Sequence, residues 1–277
     1  MARKELVYKY FRITHTVEEN GPHPTTPYDF YDEEYNITVI IKGEGTCFVE
    51  GNSYSLKDGT IIATSPEEIH SYRLKQSGYH ERLTIYFSKD VLSPLWDHEL
   101  SLIQIFYDHP SGVGNCYGPD RYDQMQLLPV VEKLRDLVDH NESTYRACRA
   151  HLLILEFLFL LYDAAETHRE TSFVHDEKIA QICRYIKENL TERLSYEHLQ
   201  DHFLISRYQL TTVFHRNTGM TLTEYILHKR LMQAIVLIRN GEGMETAAYR
   251  AGFHAYSHFY KAFKNRYHVS PKTYFTK

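Results

Sequence analysis

What this 277-residue sequence lacks narrows its chemistry first. It holds four cysteines, Cys47, Cys116, Cys148 and Cys183, none in C-x-x-C spacing, which points to reduced, packed thiols rather than a disulfide framework or a zinc site. No P-loop, G-x-G-x-x-G or G-x-S-x-G occurs, so the usual phosphate cradle, dinucleotide turn and nucleophile elbow are missing. His198-Leu-Gln-Asp-His202 sets two imidazoles on one helical face, but Leu199 follows the first histidine where a zinc protease carries glutamate. We read that pair as solvated helix surface. No apolar run is long enough for a bilayer core of roughly 30 Å; the longest, Leu152 to Tyr162, is interrupted by Glu156. The opening MARKELVYKYFRITHTV has no unbroken apolar stretch of the signal-peptide kind, so the expected location is the cytoplasm.

What is present is unevenly distributed. The net charge of -5 divides into a basic C-terminal part and an acidic remainder: from Ser172 onward there are 15 Lys+Arg against 9 Asp+Glu. A positive balance confined to one end points to a polyanion partner for that end. The first 90 residues read as short strands rich in β-branched and aromatic residues, such as Ile37–Lys42, Thr46–Val49, Ser53–Leu56, Thr60–Thr64, Ser71–Leu74 and Glu81–Ser88. Gly51-Asn52, Asp58-Gly59 and Ser65-Pro66 separate them, as in a β-sandwich or barrel. Helical periodicity follows over 89–108, 121–140 and 144–167. The last of these has the apolar positions Leu152, Leu153, Leu155, Leu158, Phe159 and Tyr162, a face wide enough to serve a homodimer as well as its own core. Residues 170–174 are the expected linker.

From His175 the pattern is helical and repeats at an offset of 49. Leu210 pairs with Phe259, Phe214 with Phe263, Met220 with Val269, Thr221 with Ser270 and Tyr225 with Tyr274. Each copy reads as a short helix (Tyr196–Phe203, then Met244–Arg250), a tight turn and a second polar helix (Ser206–Asn217, then Ala255–Arg266). That is the helix-turn-helix layout, whose second helix can enter a major groove. Thr221-Leu-Thr-Glu224 is a capping box that opens a connecting helix running to about Asn240. At ~1.5 Å per residue this rod is about 30 Å long, close to the ~34 Å of one DNA turn.

Ala247 to Tyr274 resembles the signature of the AraC/XylS family of transcription regulators. The matching residues are Ala247-Ala248, Gly252-Phe253, Phe259, Phe263-Lys264, Ser270-Pro271 and Tyr274. The sequence departs at three positions: His268 replaces a glycine, Gln200 a small residue and Ala247 an isoleucine. The resemblance implies that Tyr208, Thr211 and Thr212 in the first recognition helix face DNA bases, as do Tyr256, Ser257, Tyr260 and Lys261 in the second. Arg207, His215, Arg216, Lys264 and Arg266 are the candidates for phosphate contacts, which position without specifying. Leu210, Phe214, Phe259 and Phe263 are core.

The strands around Gly43-Glu-Gly45, Asp58-Gly59 and Pro66-Glu-Glu-Ile-His70 resemble the cupin-type effector domain of the same family. No H-x-H is present and only His70 matches a cupin metal ligand, so neither a metal, nor a cofactor, nor a catalytic residue is expected. The expected ligand is a small molecule, a sugar being one candidate, against Tyr28, Phe30, His70, Tyr72 and Arg73. The 23 tyrosines suit that chemistry. The expected molecule is thus an α+β two-domain regulator and not an enzyme. Residues 1–169 form a cupin-like β-barrel with trailing helices that binds effector and dimerises. Residues 170–277 form an all-α domain with two helix-turn-helix units on one long helix. Its partners are double-stranded operator DNA, a small-molecule effector, a second copy of the chain and RNA polymerase, with no membrane. Two alternatives stand beside this reading: a barrel that binds no ligand and serves only protein contacts, and a cupin enzyme fused to a DNA-binding module.

Overall fold

The computed structural model describes residues 2–19, 34–75, 78–92, 99–119, 126–140, 145–167, 174–175 and 177–276. They fall into two compact units, Met1–Asp176 and Glu177–Lys277.

The first unit opens with a hairpin, β1 (Ala2–Val7) and β2 (Phe11–Glu19), followed by β3 (Tyr35–Lys42), β4 (Gly45–Val49), β5 (Asn52–Leu56), β6 (Ile61–Thr64), β7 (His70–Leu74) and β8 (Tyr79–Phe87). Helix α1 (Glu99–Gln104), strand β9 (Cys116–Tyr117), helices α2 (Leu127–Asp139) and α3 (Arg146–Thr167) and strand β10 (Val174–His175) complete it. Two sheets result, ordered β1-β2-β8-β3-β6-β9 and β10-β5-β4-β7. The expected barrel is therefore two separate cupin-like sheets; among the described residues no strand closes them into one. The expected linker is also changed at one residue, since Val174 pairs with Ser53 and adds a strand to the second sheet. The expected boundary at 169/170 lies outside the described residues, and the division between units falls after Asp176.

Strand alternation gives the six-stranded sheet two unlike faces. One carries Phe11, Ile13, Ile37, Val39, Leu83, Ile85 and Phe87, buried in one core with α2 and α3. The expected apolar stripe of α3 is divided by this packing. Leu155 and Leu158 are buried, Leu153 and Tyr162 pack at the core edge, and Leu152 and Phe159 remain exposed. His15 fastens α2 to the sheet, with Nδ1 2.8 Å from Asp139 Oδ1 and Nε2 3.0 Å from Glu81 Oε1. The opposite face turns toward the second sheet, where Ile40 and Ile62 meet Cys47, Val49, Tyr54, Leu56, Leu74 and Tyr72 in a smaller core.

The second unit is helical: α4 (Glu177–Glu188), α5 (Tyr196–Phe203), a π-helical turn (Gln209–Val213) running into α6 (Phe214–Thr218), then α7 (Leu222–Arg239), α8 (Met244–Arg250), α9 (Tyr256–Tyr267) and α10 (Pro271–Phe275). The offset of 49 survives in three dimensions. Leu210, Phe214, Phe259 and Phe263 are all fully buried. Thr221 caps α7, accepting from Glu224 N in a complete capping box, and Ser270 caps α10, accepting from Thr273 N. Eighteen residues of α7 make a rod of about 27 Å.

Candidate DNA-contacting face and effector site

In the first helix-turn-helix, α5 starts at the Ser195 cap and ends at Leu204, which takes a left-handed conformation (φ +51°). The recognition helix starts behind Ser206, whose N–H donates to Gln209 Oε1 (2.9 Å) while its Oγ accepts from Gln209 N (3.2 Å). Tyr208, Thr211, Thr212, His215 and Arg216 are exposed along it. Positions three and four apart share a helix face, so these side chains can meet one surface together. Thr211 Oγ1 donates to Arg207 O (2.9 Å), which commits its proton. The hydroxyl competes with backbone N–H groups for that carbonyl in the wide turn, a known cause of helix distortion. Arg207, a candidate phosphate contact, is exposed and has partners within the chain. Its Nη1 lies 3.0 Å from Glu197 Oε1 and its guanidinium sits 4.6 Å from the Tyr196 ring. Glu197, which sequence reasoning passed over, thus places a negative charge beside the first reading face.

In the second unit α8, a turn at Gly252 (φ +93°) and α9 repeat the layout. Ser257, Tyr260, Lys261 and Lys264 are exposed on consecutive turns of α9. Tyr256 and Arg266 are less exposed than these four. Tyr256 is half-buried, 5.7 Å from the Phe259 ring with Oη 4.0 Å from Met244 Sδ, because the first turn of α9 packs back on α8. Arg266 is half-buried too.

The candidate effector side is built by strand register. On the face of the six-stranded sheet turned toward the second sheet, Thr14 stands opposite Thr84, and Thr84 opposite Thr38. Thr16 stands opposite Arg82 in the next row. All four threonines are buried. Thr38 Oγ1 donates to Asn36 Oδ1 (3.1 Å) and lies 3.2 Å from Thr84 Oγ1. Arg82 Nη2 is 3.4 Å from Glu18 Oε1. A small groove opens beside this pair, lined by Thr16, Glu18, Ile40, Lys42, Leu74, His80, Glu81 and Arg82.

The residues expected to line the pocket divide. His70 and Tyr72 lie on the inward face of β7. His70 Nδ1 is 3.3 Å from both Thr64 Oγ1 and Glu68 O, and full burial lowers its pKa to about 4. The Tyr72 hydroxyl faces Thr38 and Cys47. Burial raises its pKa, and it makes no hydrogen bond of normal geometry among the described residues. Arg73 is on the opposite face, 4.9 Å from the Phe48 ring, because adjacent strand residues point to opposite sides. Tyr28 and Phe30 lie outside the described residues. The threonine wall was missed because its members come from β2, β3 and β8. The signal was present in each strand, where Thr14, Thr38 and Thr84 alternate with apolar Ile13, Ile37 and Ile85.

Among the described residues no cluster of three or more His, Cys, Asp or Glu is disposed to hold a metal ion. Nor is any helix long and apolar enough to cross a membrane.

A family model, the AraC-like ligand binding domain, matches residues 16–154, half of the chain, and a helix-turn-helix domain model matches 199–277. The chain belongs to the AraC family of transcription regulators. The HTH-type transcriptional activator RhaS of Enterobacter sp. (strain 638) is 24% identical over 263 residues, covering 92% of this chain and 90% of its own. An uncharacterised HTH-type regulator, SAR0107 of Staphylococcus aureus (strain MRSA252), is 23% identical over 86% of this chain and 31% of its own length. Among solved structures, ToxT from Vibrio cholerae O395 aligns at 19% identity with a TM-score of 0.39, over 96% of this chain and 97% of ToxT. The activator CuxR aligns at 14% identity with a TM-score of 0.36, over 81% of this chain and 76% of CuxR. This AraC-family regulator therefore binds DNA through its helical unit and carries a small-molecule effector domain ahead of it.

Proposed function

We propose that this regulator answers to a neutral polyhydroxylated molecule, a sugar or polyol, held between its two sheets. The buried row of Thr14, Thr38 and Thr84, facing the unpartnered hydroxyl of Tyr72, is the observation that carries the reading. Hydroxyl walls both donate to and accept from ligand hydroxyls. The guanidinium of Arg82 is offset by Glu18 and the ammonium of Lys42 by Asp58, so no described lysine or arginine of this groove offers a carboxylate an unpaired cation. On the DNA side, Tyr208, Thr211, Thr212, Ser257, Tyr260 and Lys261 reach base edges. His215, Arg216 and Lys264 contact phosphates, and Arg207 does so once released from Glu197. Leu152 and Phe159 on α3 supply the dimer contact, exposed at spacing seven on one helical stripe. The protein acts in the cytoplasm, as an activator working with RNA polymerase; the RhaS relatives carry the name activator.

Thermal-shift titration tests the effector class. Neutral pentoses, hexoses and polyols are expected to raise the melting temperature, and matched uronic and fatty acids are not. Stabilisation by the acids alone, or by none of these compounds, defeats the reading; the second result leaves the sheets as a protein-contact scaffold.

A further inference from the structure

We propose that Arg230 is a positioning residue for the second reading head, clasping the connector helix α7 and the second turn to the C-terminal end of α4. The guanidinium reaches two carbonyls at once: Nε donates to Leu190 O (2.9 Å) and Nη2 to Glu192 O (2.9 Å). Both belong to the segment joining α4 to the first head. The second turn closes on the same spot. A methyl group at Gly252 would stand 1.9 Å from Leu190 O and 2.8 Å from Arg230 Nε. Gly252 is thus required for close approach as well as for its φ of +93°.

Apolar packing fastens each head to α7 separately, the first through Phe214 against Tyr225 (ring centroids 5.4 Å), and the clasp links the heads a second way through α4. The core of the second head joins Leu231, Ala234 and Ile235 of α7 to Ala248, Ala251, Phe253, Phe259 and Phe263. That cluster draws on α7 to α10 alone and fixes the second head on the connector. Arg230, one residue before Leu231, ties this assembly to α4 and so to the first head. The length of α7 sets the span between the heads; the clasp sets the angle. An arginine suits the task because two of its nitrogens serve two carbonyls in a fixed fork, where lysine is a single flexible point. The inference rests on the reading that both heads engage one DNA site.

The test uses the full chain and a duplex selected by the wild type from a random library. Arg230→Met removes both donors and keeps the stem, Arg230→Lys keeps one, and Gly252→Ala pushes on Leu190 from the other side. Each half of the selected site is scrambled in turn, and amide exchange is followed over both heads. The wild type loses tenfold or more from either scrambling. Arg230→Met binds the intact site roughly ten- to a hundredfold more weakly and becomes indifferent to one scrambled half. Its exchange rises over 244–276 and not over 196–218. Gly252→Ala behaves like Arg230→Met, and Arg230→Lys falls between it and the wild type. Continued need for both halves in Arg230→Met, or faster exchange across both heads alike, overturns the positioning role. A wild type indifferent to one half sinks the two-head reading itself.

Discussion

Gly219 and His268 stand 49 residues apart, each ends a recognition helix, and each holds a left-handed backbone, φ +76° and +59°. The repeat thus reproduces a backbone conformation as well as a residue pattern. Glycine takes it without a Cβ penalty; histidine does not.

His268→Gly is accordingly expected to stabilise the helical unit by about 1 kcal/mol, and Gly219→Ala to destabilise it by a similar amount. Urea melts of the two variants check this. A destabilised His268→Gly would show that the imidazole makes a contact worth more than its backbone strain.

Arg207 is held by Glu197 beside the first reading face. Exposed pairs of this kind contribute little to stability, so Glu197→Gln is expected to leave the melting temperature within a degree or two. It frees one cation for phosphate, which should tighten DNA binding and steepen the slope of log K against log salt by about one unit. An unchanged slope in fluorescence anisotropy would place Arg207 away from the backbone.

Lys261 is exposed and cationic amid polar neighbours on α9. Lys261→Ala should cost ~1–3 kcal/mol on the selected site and much less on random duplex. Equal losses on both would make it a phosphate contact.

Thr84 sits at the centre of the buried hydroxyl row. Thr84→Val keeps the shape and removes the hydroxyl, so the variant should fold and lose the melting shift that neutral polyols give the wild type. A full shift in the variant would move the effector elsewhere.

His70 and His228 both have their pKa lowered to about 4, chiefly by burial, with the Arg266 charge adding to the effect on His228. Each stays neutral in the fold while the unfolded chain takes up a proton near pH 6.5. The stability they contribute is present above about pH 6.5 and is lost as pH falls toward 4, on the order of 1–2 kcal/mol each by pH 5. Melting temperatures measured from pH 7 to 5 should therefore decline, and less steeply in His70→Gln. A flat wild-type profile would contradict this.

The helical unit was legible because its information is local. Leu210, Phe214, Phe259 and Phe263 announce their burial by spacing within single helices, and Thr221-x-x-Glu224 announces a helix start. Ser257, Tyr260 and Lys261 were named by the family resemblance, and all three are exposed on α9. Tyr256 escaped because burial at a first turn depends on the packing of α8, which spacing does not encode. The threonine row was illegible for a further reason. Thr14, Thr38 and Thr84 meet only through strand register, and their polar face reads like solvent until a second sheet covers it. Arg73 was misjudged by one position, enough in a strand to reverse a side chain.

The claim that both heads read one face of DNA from a rod of about 27 Å is tested most directly by hydroxyl-radical footprinting of the full chain on its selected duplex. The account predicts, for each bound chain, two protected stretches centred one helical turn apart, about 10 base pairs, on the same side of the duplex. A single stretch per chain, or two centred half a turn apart on opposite sides, contradicts it.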